Sequence, residues 1–197
     1  MKKVVITIGR EFGSGGREIG IKLSEKLNIP FFDKELILHT AEKTNLEKSI
    51  VEKYDEQHSF PAFSSSNIFD IYQMPMSDRI YIAQADVIRD IAEKGSCIIV
   101  GRCADFILDN NPDVFKVFIT APMKDKIERK RPILEGKSDP EIENHISKID
   151  KKRAKYYTYY TDRTWGKATT YNLCVDSSML GIDGTVELIA SAIAMRK

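Results

Sequence analysis

Three of the four residues in Gly13-Ser14-Gly15-Gly16 are glycines, and bare backbone at that density suits an anion. The stretch follows the apolar run Val4-Val5-Ile6-Thr7-Ile8 and leads into Arg17-Glu18, where an amphipathic pattern begins. Exposed N–H groups at the start of a helix can surround a phosphate, and the helix dipole favours negative charge there. Tight strand-to-helix packing also uses glycine, but it does not need this many directly after a buried strand. Gly13, Ser14, Gly15, Gly16, Arg17 and Glu18 are therefore read as a phosphate-binding loop.

The standard loop of this kind is Gly, four residues, Gly-Lys and then Ser or Thr, with the lysine on the outer phosphates and the hydroxyl on magnesium. This chain departs from it. Gly16 or Arg17 stands near the lysine position, and no threonine follows. Arginine supplies charge and a two-pronged phosphate contact, yet its planar fork does not replace a lysine point charge. Glu18 is either a first-turn acid that suits the helix dipole and faces solvent or a group near a metal. A dinucleotide site is the rival reading, because Gly13-Ser14-Gly15 opens a Gly-x-Gly pattern and Asp33 lies about 20 residues on, where a ribose-binding acid would stand. The third glycine of that pattern would fall at Glu18, which argues against it.

The elements around these residues alternate. Ile19, Leu23 and Leu27 mark one face of a helix that stops at Asn28-Ile29-Pro30, and Phe31-Phe32-Asp33 reads as a second short strand. A helical stretch over about 34–54 precedes the loop Ser59–Asn67, and a helix from Ser77 to about Lys94 ends at Gly95. Cys97–Gly101 and Val114–Ile119 are further buried strands, with a helix expected to begin between them in Arg102–Leu108. Residues 123–160 are charged and largely helical, interrupted at Pro132 and around 136–140. Tyr171–Val175 is the last strand, before a terminal helix from about Gly184. Five strands separated by helices imply a three-layer α/β fold with a parallel sheet.

The chain of 197 residues, 42% hydrophobic and 30% charged, fits one domain with a full core. Its formal charge of +1 gives no global reason to expect nucleic acid or a membrane surface as partner. The start is too short in apolar residues for a secretory signal, so a cytoplasmic protein is expected. Cys97, Cys103 and Cys174 lack paired metal-site spacing and are expected to be reduced, buried thiols. His39, His58 and His145 have no ligand-like spacing. Tyr156, Tyr157, Tyr159, Tyr160 and Trp165 read as packing at a helix end rather than a base-stacking platform.

Five segments together resemble the cytidylate kinase-like family of P-loop proteins, relatives of the nucleoside monophosphate kinases. They are ITIGREFGSGGREIG, FFDKEL, AQADVIRDIAEKGSCIIVGRCADFIL, IDKKRAKYY and WGKATTYNLCVDSS, which span nearly the whole chain. The resemblance implies a three-layer αβα P-loop NTPase fold with a five-stranded parallel sheet and a helical lid. It implies one domain over 1–197, with an acceptor-binding insertion at about 34–94 and the lid at about 123–165. The implied activity is transfer of the γ-phosphate of ATP, with Mg2+, to a small-molecule acceptor such as the nucleoside monophosphate CMP. On this resemblance Asp33 lies at the acceptor pocket, although it would serve equally well as a helix N-cap. Arg102 would grip the acceptor, its plain alternative being a surface salt bridge. Asp105 would orient Arg102 or read a base, unless it is only a helix-start acid. Arg129, Arg131 and Arg153 would be lid arginines acting with Arg17 on the transferring phosphate, since phosphoryl transfer relies on positioning and electrostatics. The lost lysine and hydroxyl leave a second reading open, a nucleotide-binding regulatory protein with reduced catalysis.

Overall fold

A computed structural model of the chain describes residues 3–33, 35–44, 47, 49–51 and 75–196. The expected loop Ser59–Asn67 lies outside the described residues. Five strands form one sheet: β1 (Val5–Arg10), β2 (Phe31–Phe32), β3 (Cys97–Val100), β4 (Val114–Thr120) and β5 (Leu173–Asp176). Their order is β2-β3-β1-β4-β5, and each recorded pair is parallel. The helices are α1 (Gly16–Leu27), α2 (Glu35–Thr44), α3 (Met76–Lys94), α4 (Ala104–Ile107), α5 (Met123–Lys130), α6 (Asp139–Thr161) and α7 (Ser177–Ala194).

Period-two alternation in the strands sorts the core into two layers. Ile6 and Ile8 of β1, with Ile98, Val100, Val117 and Ile119, face Ile19 and Leu23 of α1 and Val186, Ile189 and Ile193 of α7. Val5, Cys97 and Ile99 point the other way, onto Leu36 of α2 and Val87, Ile88, Ile91 and Ala92 of α3. The result is helix, sheet, helix, with β1 flanked by β3 and β4 at the centre. The strand order reverses beside β1, so the loops after β1 and β3 border one crevice at the carboxyl ends of the strands. Open α/β sheets bind ligands at such a switch point.

One expectation is refined and one is corrected. A single helical turn opens at Ser177, capped by Asp176, which accepts the Ser178 amide at 2.9 Å, but Gly181 (φ 66°, ψ −176°) is non-helical and divides that turn from the main run of α7, which starts just after it, near the expected Gly184. By length and composition α7 could cross a membrane, but its Val186, Ile189 and Ile193 face is packed into the core. Of the three cysteines, Cys97 and Cys103 are buried thiols as expected, whereas Cys174 is free and exposed, on a strand that pairs with β4 at the end of the sheet order. Most of the aromatic group packs as expected: Tyr156 and Tyr157 are buried with Cys103, and Tyr81, Tyr160 and Trp165 lie against them, whereas Tyr159 is exposed.

Candidate phosphate and acceptor site

After β1 the chain turns through Glu11–Gly15 and enters α1. Gly13 (φ 85°) and Gly15 (φ 80°) take the left-handed backbone that makes the turn, and Gly15 is the N-cap. The loop's carbonyls are tied down. Ser14 Oγ donates to the Glu11 carbonyl at 2.9 Å. Arg129 Nη1 donates to the Gly13 carbonyl at 3.1 Å, and Ser177 Oγ to the Ser14 carbonyl at 2.6 Å. A helix leaves its first-turn amides without intrahelical partners, and the α1 dipole adds positive potential there. With its carbonyls bound from behind, the turn can direct those amides to an anion.

A second cluster fixes the loop from the α5–α6 side. Lys126 Nζ, buried, lies 2.6 Å from Glu11 Oε2 and 3.4 Å from Asp150 Oδ2. The Phe12 amide donates to Asp150 Oδ1 at 2.7 Å, and Thr120 Oγ1 donates to Glu11 Oε2 at 2.5 Å. Burial pushes the Asp150 pKa up against the Phe12 amide and the Lys126 charge. A Cβ on Gly13 would stand 3.0 Å from Lys126 Cβ and 3.2 Å from its backbone, so only glycine lets α5 approach this closely. Sequence reasoning assigned no role to Glu11, Lys126 or Asp150. Their partners are up to 138 residues apart in the chain, and nothing local signals the pairing.

On the other side of the crevice, Asp33 is 5% exposed and ringed by arginines. Arg102 Nη1 donates to its Oδ1 at 2.7 Å, and Arg17 Nε to its Oδ2 at 2.7 Å. Arg10 Nη2 stands 4.0 Å from Oδ1. Burial by itself would raise the Asp33 pKa, but the Arg102 and Arg10 charges and the hydrogen bonds from Arg17 and Arg102 outweigh it and hold the carboxyl below its usual range. Both carboxylate oxygens are engaged by arginines. Three successive residues after β3, Gly101 (φ 78°), Arg102 (φ 51°) and Cys103 (φ 55°), adopt left-handed backbone. Such conformations carry strain in residues other than glycine and gather at functional sites. Here the bend turns buried Arg102 back onto Asp33 and onto the Val100 carbonyl at 3.2 Å.

Asp105 is buried at the head of α4 and accepts from Tyr157 Oη at 2.6 Å. Burial raises its pKa against that hydrogen bond. A cavity of about 30 Å³ joins Arg10, Arg102, Asp105, Arg153, Tyr157 and Trp165 in the crevice. A larger hollow of about 690 Å³ lies between α2 and α3 beside Ser96 and Cys97, at the amino ends of the strands and away from the loop.

The residues singled out from the sequence divide clearly. Gly13, Ser14, Gly15 and Gly16 form the turn, Arg129 holds its carbonyl, and Arg153 Nη1 donates to the Arg10 carbonyl at 3.2 Å with its guanidinium over Phe12. Arg17 reaches across to Asp33 rather than lying along the loop. Arg131 is drawn away, in an exposed two-pronged pair with Asp139 at 2.8 and 2.9 Å. Glu18 is exposed on α1, 4.0 Å from Lys22. Among the described residues no group of three or more His, Cys, Asp or Glu side chains could hold a metal, and a guanidinium or an exposed glutamate replaces the loop's hydroxyl. Magnesium bound with a nucleotide does not need such a cluster, because substrate phosphates and water complete its shell.

The family model for the cytidylate kinase-like family matches residues 5–179. No curated protein matches the chain. A crystal structure of an uncharacterized protein from Eubacterium ventriosum ATCC 27560 is 31% identical, with a TM-score of 0.74 over 98% of this chain and 100% of that one. Shikimate kinase from Bacteroides thetaiotaomicron is 20% identical, with a TM-score of 0.57 over 98% of this chain and 99% of its own. Shikimate kinase from Aquifex aeolicus is 18% identical, with a TM-score of 0.52 over 97% and 96%. These kinases share the fold, a five-stranded parallel P-loop kinase-like architecture. The chain belongs to the cytidylate kinase-like family.

Proposed function

We propose that this family member transfers the γ-phosphate of MgATP to a small anionic acceptor, with a nucleoside monophosphate such as CMP as the first candidate. The observation that carries the reading is the Arg102–Asp33–Arg17 group facing the glycine turn across the switch-point crevice. Three guanidinium charges from Arg10, Arg17 and Arg102 against one Asp33 carboxylate leave an excess of two positive charges. That excess suits a dianionic group on the acceptor. Asp105 with Tyr157, walled by Trp165, offers a carboxyl and a ring surface to the rest of it.

In this reading the amides of Gly13–Gly16 and the head of α1 hold the polyphosphate, and magnesium arrives with the nucleotide as part of the substrate. Arg129 keeps the turn in shape through the Gly13 carbonyl. Helices α5 and α6, over about 123–165, form the lid, and Arg153 stands where charge spreads onto the equatorial oxygens of the transferring group. An acceptor oxygen bonds to the γ-phosphorus as the bond to the bridging oxygen breaks and ADP leaves. A phosphate acceptor is already ionised, so no general base is required and alignment supplies most of the rate.

The test is calorimetry with MgATP followed by a coupled ADP-release assay across nucleoside monophosphates and other small phosphorylated or carboxylated acceptors. Saturable ATP binding with turnover on one acceptor class supports the proposal. A second reading, a nucleotide-binding regulator with reduced catalysis, is favoured by the lost lysine and hydroxyl of the loop, where Gly16, Arg17 and Glu18 stand instead. Binding without turnover on any acceptor would select it.

A further inference from the structure

The loop's two departures from the standard pattern lie side by side in space. With Gly15 as the second glycine, left-handed and immediately ahead of α1, the pattern Gly-x-x-x-x-Gly-Lys places the first glycine on Arg10 and the lysine on Gly16. A Cβ built on Gly16 would stand 2.6 Å from Arg10 Cβ, 3.1 Å from Arg10 Cγ and 3.4 Å from Ile119 Cβ. Real Cβ atoms do not approach so closely, so a side chain can leave position 10 or position 16 along this path, but not both. The large residue and the glycine have exchanged places.

We infer that Arg10 is the phosphate-binding cation that replaces the missing loop lysine, and that Gly16 is bare because the Arg10 side chain occupies the lysine's route. This rests on the reading of the site as one for a nucleoside triphosphate. The Arg10 stem crosses the head of α1 at Gly16, and its guanidinium ends 4.0 Å from Asp33, with 12% of the side chain exposed. The charge thus sits between the glycine turn and the acceptor group, where a γ-phosphate in transit would lie. Arg153 fixes the backbone from which it springs, by its bond to the Arg10 carbonyl at 3.2 Å. A guanidinium differs from an ammonium here in offering two parallel donors, so Arg10 can engage a terminal phosphate while remaining beside the Asp33 carboxylate.

The experiment is calorimetric titration of a non-hydrolysable ATP analogue with magnesium, and of adenosine, into the full chain and the variants R10K, R10Q and R10G/G16K, each checked by thermal melting. Expected is a loss of about tenfold or more for the triphosphate in R10Q, the size of one charge-assisted hydrogen bond, with adenosine, which carries no phosphate, changed less than about threefold. R10K should lie between R10Q and the wild type. R10G/G16K, which returns the standard arrangement, should bind within about threefold of the wild type. Equal triphosphate affinity in folded R10Q overturns the inference, as does a folded R10G/G16K that binds the triphosphate no better than R10Q. Absence of triphosphate binding by the wild type would instead overturn the functional reading beneath it, and that is seen before any variant is examined.

Discussion

Arg102 and Asp33, 69 residues apart in sequence, meet at 2.7 Å with only 5% and 7% of their side chains exposed. A buried pair of this kind is costly to break from one side, because the remaining charge keeps its desolvation penalty without its partner. Asp33→Ala should therefore lose about 3 kcal/mol of stability at neutral pH. The Asp33 pKa is depressed, so the contribution is present above its usual value of 3.8 and disappears as pH falls through the lowered one. Chemical denaturation at pH 7 and at pH 3 reads both effects: the gap between wild type and variant should narrow in acid. A gap that widens in acid would contradict the assignment.

Asp105 should behave in the opposite sense. Its pKa is raised by burial, so its charge costs stability as pH climbs through the raised value, and the neutral form is the better tenant. Asp105→Asn keeps an acceptor for Tyr157 Oη and should melt at or above the wild-type temperature at pH 8, losing that advantage by pH 3. Thermal melts across this range check the sign, and a deficit that grows with pH would refute it.

Arg153 and Arg131 should separate sharply although both lie in the basic segment. Arg153 touches the Arg10 carbonyl beside the loop, and its replacement by alanine should lower the phosphotransfer rate on the order of a thousandfold, as for other arginines at transferring phosphates. Arg131 is exposed and paired with Asp139. Arg131→Ala should leave the rate within about twofold and stability within about 0.5 kcal/mol. Steady-state kinetics of the two variants side by side decide the matter, and equal losses would contradict this placement.

Much of the fold was legible because it rests on local periodicity. The β-branched runs of β1, β3 and β4 and the apolar faces of α1 and α3 announce themselves in sequence, and so does the glycine turn between β1 and α1. What was illegible is mostly tertiary. One exception is local: the extra helical turn at Ser177, ahead of the non-helical Gly181, is set by the Asp176 cap on the Ser178 amide, a contact that the apolar pattern of Val186, Ile189 and Ile193 does not signal. Cys174 belongs to an apolar run, but β5 ends the sheet and leaves it exposed. In the site, Asp33 and Arg102 could be named from the sequence by resemblance, while Lys126 could not, because its partners Glu11 and Asp150 come from β1's end and from α6. The crossing of Arg10 over Gly16 depends on the direction of two side chains, which spacing does not encode.

The account rests on a polyphosphate held by the turn at the head of α1. The most direct test is a crystal structure of the protein with magnesium and a non-hydrolysable ATP analogue. The β- and γ-phosphate oxygens should lie about 3 Å from amides within Gly13–Arg17, with Asp33 and its arginines facing the γ-phosphate. Phosphates bound elsewhere, or a nucleotide that leaves this turn unoccupied, would contradict it.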